Sequence, residues 1–132
     1  MHSSVILNHD LPDGQSHFDW LIEDPTIDAE DRLTAFRCDF RPDSDDSRPF
    51  FARKLSNHRA IYLSYEGQIS NNRGKVFRVA EGRVLSQELN NATATITIQW
   101  DNQTIFYRGS RDSITDDLWR FEPRELNSSL DG

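Results

Sequence analysis

With 132 residues, 36% of them hydrophobic, and a mean hydropathy of −0.72, the chain has room for one domain whose thin core must lean on its fourteen aromatic side chains. No apolar run approaches the length of a membrane-spanning helix, the start lacks a basic segment followed by an apolar one, and the single Cys38 excludes an internal disulfide framework. The formal charge of −7 speaks at first against a nucleic-acid partner, and the expected location is the cytoplasm.

In chain order, Val5–Asn8 reads as a short strand ending at His9, and Leu11-Pro-Asp-Gly-Gln15 carries turn chemistry. His17–Glu23 alternates: Phe18, Trp20 and Ile22 take one face of an extended strand, and His17, Asp19, Leu21 and Glu23 the other. Thr26–Arg32 reads as one helical turn or a loop, Leu33–Cys38 as a strand, and 39–49 as an exposed acidic loop. Phe50–Tyr65 suggests two short strands around a bend. Lys75–Ala80 and Arg83–Leu89 read as strands joined by a turn at Glu81-Gly82. Thr93–Trp100 and Gln103–Gly109 form a hairpin through Asp101-Asn102, Ser110–Asp117 is a polar loop, Leu118–Phe121 is a last strand, and 123–132 is a frayed tail. Closely spaced strands without a long helix predict an all-β fold, a small antiparallel closed or nearly closed barrel filling residues 1–132 as one domain with its core over about 5–122. Trp20, Trp100 and Trp119 belong in its core.

His17 and Asp19 stand about 6–7 Å apart on one face of their strand, and the turn can fold His9 back beside them. Two imidazoles and a carboxylate make a three-ligand metal site with open positions, expected at the mouth of the barrel. The plain alternative is a hydrogen-bonded His17–Asp19 surface pair. Charge is also segregated. Residues 1–47 hold 3 basic and 12 acidic side chains, 48–83 hold 8 and 2, and 84–132 hold 4 and 8, so a basic middle can face a phosphate.

These residues resemble the 3′-phosphoesterase domain of bacterial ligase D, the end-joining DNA ligase. That family has a histidine ending an early strand and then His-Tyr-Asp-Phe-Arg-Leu-Glu; here His9 is followed by His17-Phe18-Asp19-Trp20-Leu21-Ile22-Glu23. The family's Asp-His-Pro-x-x-Tyr-x-x-Phe-Glu-Gly is echoed by Asn57-His58-Arg59-Ala60-Ile61-Tyr62-Leu63-Ser64-Tyr65-Glu66-Gly67, and its intervening strand by Leu33–Cys38. The resemblance runs in order over about Val5 to Glu122. It implies a β-barrel, and manganese-dependent trimming of 3′-ribonucleotides and 3′-phosphates from nucleic-acid ends in DNA repair. It assigns metal ligation to His9, His17 and Asp19 (manganese first, zinc second), phosphate contact to His58, and places near the site to Tyr62 and Glu66.

Several positions depart from the pattern. Leu21 stands where the family has a phosphate-binding arginine, Leu7 and Ser56 replace polar neighbours of the site histidines, Phe40 replaces a lysine, and His9–His17 is two residues longer. Arg37, Arg41, Arg53 and Arg59 are the cations available to replace it, with Arg37, on the neighbouring strand, first and Arg41 beside Phe40. His17 and Asp19 then serve catalysis with His58. The expected activity is a metal-dependent phosphoesterase acting on nucleic-acid 3′ ends or a smaller phosphate ester, monomeric, with a ligase or polymerase of end joining as partner. The alternative is a barrel that binds a metal or a DNA end without turnover.

Overall fold

The computed structural model describes residues 2–44, 46, 48–113 and 115–126. Their strands are β1 (His2–Asp10), β2 (Ser16–Glu23), β3 (Leu33–Cys38), β4 (Phe50–His58), β5 (Gly67–Gln68), β6 (Lys75–Leu89), β7 (Thr93–Gln99), β8 (Thr104–Ser113) and β9 (Leu118–Glu125), with a 3₁₀ turn at Ala60–Leu63. Neighbours pair antiparallel in the order β1-β2-β3-β4-β9-β8-β7-β6-β5, and β1 also pairs with β6. That last pairing closes an eight-stranded barrel, with β5 as a two-residue addition to β6. Closure leaves the eight wall strands without a free edge. No helix among the described residues is long and apolar enough to cross a membrane.

Alternation fills the interior. Ile6, Trp20, Ile22, Phe36, Phe50, Ile96, Ile98, Tyr107, Trp119 and Phe121 form one buried cluster. The Trp20 ring lies 4.7 Å from Tyr107 and 5.3 Å from Phe121, centroid to centroid. Polar tips are satisfied inside it: Trp20 Nε1 donates to Ser4 Oγ, and Tyr107 Oη accepts from Trp100 Nε1 and donates to the Pro42 carbonyl. The three tryptophans are therefore core, as expected.

Val5, Leu7, Leu21, Leu33 and Ala35 point outward from the wall, yet they too are buried. The chain between β4 and β6 crosses this outer face as a roof, laying Tyr62, Leu63, Tyr65 and Ile69 over it as a second hydrophobic cluster. Strands β1 to β3 are thus apolar on both sides.

The register corrects several expectations. Of the two readings of Thr26–Arg32, the loop holds, with no helical turn. The two strands expected in Phe50–Tyr65 are one strand, β4, followed by the 3₁₀ turn, in which Leu63 packs with the roof and Ile61 is exposed. Glu81-Gly82 is not a turn: β6 runs unbroken for 15 residues. A Cβ at Gly82 would stand 2.7 Å from both Ile98 Cγ2 and the Trp100 ring, so the glycine serves close packing inside the barrel. β8 continues through Ser113 into the expected loop, and β9 continues past Phe121 to Glu125 along β8. Ile114 and the tail from 127 on lie outside the described residues.

Candidate metal centre and anion cavity

His9 and His17 are direct cross-strand partners on β1 and β2, and the hairpin loop absorbs the two extra residues between them. Asp19 follows two residues later on the same outward face. All three side chains meet. His9 Nδ1 lies 3.0 Å from Asp19 Oδ2, His17 Nε2 lies 2.9 Å from Asp19 Oδ1, and the imidazoles contact edge to face at 4.8 Å. One donor atom from each residue falls within 4.8 Å of the others. The group sits on the outer wall beside the roof, not at the mouth, because the odd-numbered positions of β2 face out.

His17 and Asp19 are almost fully buried, and His9 is partly so. Burial raises the Asp19 pKa, but the hydrogen bonds from His17 and His9 outweigh it and hold the carboxyl down at about 2. The same bond to Asp19 raises the His9 pKa against the opposing effect of burial. The His17–Asp19 pair is therefore no exposed surface contact.

The second nitrogen of His9 decides what that centre is suited to hold. Nε2 lies 2.7 Å from the Arg73 carbonyl, which only accepts, so Nε2 carries a proton. Nδ1 then faces a carboxylate oxygen at hydrogen-bond distance. Two lone pairs repel there, so the gap takes either a second proton on the ring or a cation shared by both groups. An imidazole held through its far nitrogen by a backbone carbonyl, with its lone pair aimed at a carboxylate, is the arrangement that orients a metal-ligating histidine. Nδ1 of His17 is buried without a hydrogen-bond partner among the described residues, so Asp19 alone orients that ring. The donor set, two nitrogens and a carboxylate, suits Mn²⁺ or Zn²⁺.

No protein-family model matches the chain. No curated protein matches it either. The chemistry is therefore read from the side chains around the centre.

His9 and Asp19 open onto a cavity of about 490 Å³ that is also lined by Asn57, His58, Arg59, Tyr62 and Arg73. His58 ends β4, and its Nδ1 donates to its own Ser56 carbonyl at 3.0 Å, leaving Nε2 for a ligand. Tyr62 stacks edge-on against His58 and Tyr65. Glu66 does not reach the cavity; its carboxylate accepts the Arg78 backbone N–H and braces β6. Arg37 is the register partner of Asp19 on β3 and lowers the His9 pKa through its charge. Arg41 is elsewhere, bonded to Asp43 and the Val79 carbonyl. Leu21 is fully buried beneath the roof.

Arg73 is the residue that sequence reasoning missed. It belongs to a polar turn, and the only signal was the run Asn71-Asn72-Arg73-Gly74 itself. Asn71 and Asn72 adopt positive φ, and Gly74 follows at φ +92°. A Cβ at Gly74 would lie 1.9 Å from the Asp10 carbonyl oxygen. Gly74→Ala should therefore displace the turn, detach the Arg73 carbonyl from His9 and weaken metal affinity about 10–100-fold, the usual cost of losing such an outer contact. Calorimetric titration of the variant checks this, with its far-ultraviolet circular dichroism unchanged.

Proposed function

We propose that the protein is a divergent metal-dependent phosphoesterase of the ligase D 3′-phosphoesterase type, acting on nucleic-acid 3′ ends or a related phosphate ester. The observation that carries the reading is that two members of the His9–His17–Asp19 group, His9 and Asp19, line a cavity that also holds His58, Arg59 and Arg73. A divalent cation held by His9, His17 and Asp19 would supply Lewis acidity to a phosphate oxygen.

The chain's own residues do the rest. Among the described residues the Arg59 side chain makes no hydrogen bond or ion pair and the Arg73 side chain bonds only Ser70, so both guanidiniums are free of carboxylates and suited to a phosphate. Arg37, beside Asp19, adds a third charge. His58, with Nδ1–H fixed on Ser56, takes up or delivers a proton at Nε2. Burial of Leu21 favours a second reading, a barrel that binds a metal or a DNA end without turnover, because the family's arginine has no room at that position.

Calorimetry with Mn²⁺ and Zn²⁺ should show one site in the wild type and none in His17→Ala. A wild type that binds neither metal defeats the enzyme and the metal-binding barrel alike. Turnover of a 3′-phosphorylated primer-template above that of a generic phosphodiester then selects the enzyme; none with any divalent metal leaves the binding module. In the enzyme, Arg59→Ala should lower kcat about 10²–10³-fold, as loss of a charge-stabilising donor does.

A further inference from the structure

Although the chain is acidic overall, one part of the barrel's outside is basic. On β3, β4, β9 and β8 the inward positions hold Phe36, Ala52, Trp119, Phe121 and Tyr107, so Arg37, Phe51, Arg53, Arg120, Phe106 and Arg108 project from the wall. Register orders them. Asp19 pairs with Arg37, Arg37 with Arg53, Phe51 with Arg120, and Arg120 with Ser110. Four steps from β2 to β8 at about 4.8 Å each make a path of roughly 19 Å, the length of a few nucleotides.

Two observations mark this face as a binding surface. Phe51 is 52% exposed in the middle of it, and the Phe106 ring is flanked by Arg108 and Arg124 at 5.9 and 5.5 Å from its centroid, so flat rings and guanidiniums lie side by side. A depression of about 300 Å³ also opens between Arg108 and Arg120, edged by the hydroxyl-bearing Thr93, Thr95 and Ser110. One carboxylate opposes the basic charge there: Glu122 lines the depression, pairs in register with Arg108 and holds Arg120 at 2.6 Å, whereas Arg53 bonds, among the described residues, only the Asp116 carbonyl.

We infer that this face is a track for single-stranded nucleic acid, leading from the depression between Arg108 and Arg120, past Phe51 and Arg53, to the metal centre. Phosphates match the arginines and hydroxyls, and bases stack on the aromatic rings, the combination that holds single strands without reading their sequence. The track rests on the proposed function only in where it ends, and its own binding does not need the metal.

Fluorescence anisotropy of a short labelled oligothymidine tests it. The wild type should bind in EDTA, with log K falling against log salt at a slope of about −2 to −3, as for three or four neutralised phosphates. Arg108→Gln/Arg120→Gln should weaken binding roughly tenfold, with Phe51→Ala also weaker. If the double variant does not fold, Arg53→Gln and Phe51→Ala are read singly. Absence of binding by the wild type overturns the track, as do undiminished binding by the variants, binding only when Mn²⁺ is present, or preference for phosphatidylserine vesicles over the oligonucleotide. Oligonucleotide binding without any metal site would instead sink the proposed function and leave the track standing.

Discussion

Asp19→Ala should lose divalent-metal binding altogether and lower the stability of the barrel by several kcal/mol. The carboxylate is the one group that both imidazoles contact, at 3.0 and 2.9 Å. Its removal leaves His9 Nδ1 and His17 Nε2 facing a gap, and each unpaired buried polar group costs about 1–3 kcal/mol. The variant Asp19→Asn isolates the charge. Because the folded pKa lies at about 2, below the ordinary 3.8, the ionised carboxylate stabilises the fold fully above pH 4. That contribution, of the order of 2 kcal/mol, fades as pH falls through the window from 4 to 2. Urea midpoints across this range should fall steeply for the wild type and less steeply for Asp19→Asn. Parallel curves would mean that Asp19 is not held by its histidines as described.

Leu21→Arg is expected to be the most damaging of the substitutions that move the chain toward the family pattern. Position 21 has no exposure and lies among Val5, Leu7, Leu33 and Ala35 under the roof. The nearest carboxylates on that face, Asp19 and Glu23, are already held by His9 and His17 and by Arg32, and an uncompensated buried charge costs about 3–5 kcal/mol. Urea unfolding should show that loss, with no gain in phosphoesterase turnover. A stable, more active Leu21→Arg would mean that the roof lifts readily and that the arginine's absence alone limits the enzyme.

The barrel and the meeting of His9, His17 and Asp19 were legible in the sequence because both rest on alternation. Phe18-Asp19-Trp20 sends its aromatics inward and its carboxylate outward, and His17 follows Asp19 by parity. His9 was placed by the turn, and cross-strand pairing with His17 put it beside the others. What alternation alone does not reveal is a face buried twice. Val5-Ile6-Leu7 and Trp20-Leu21-Ile22 are short continuous apolar runs, the mark of strands covered on both sides, and read that way they announce the roof. Without it, the group was expected at the barrel's mouth and Leu21 was read only as a lost phosphate contact. Gly82 misled for a related reason: a turn and a close ring contact both call for glycine, and only the neighbours distinguish them. Arg73 was out of reach because it acts through its carbonyl, an atom every residue has.

The roof has a consequence for how the molecule breathes. Along the stretches that carry Val5, Leu7, Leu21, Leu33 and Ala35, strands β1, β2 and β3 are insulated by hydrocarbon on both sides, whereas β7 and β8 present threonines and arginines to water on one. Amide protons of the first three strands should then exchange last with solvent, so the wall that carries His9, His17 and Asp19 is also the wall that opens least. Catalytic or binding groups are commonly hung on loops that fluctuate. Here a cation on the His9–His17–Asp19 group would be gripped by the stiffest part of the shell, and the motion that would admit the proposed phosphate would come from the covering segment.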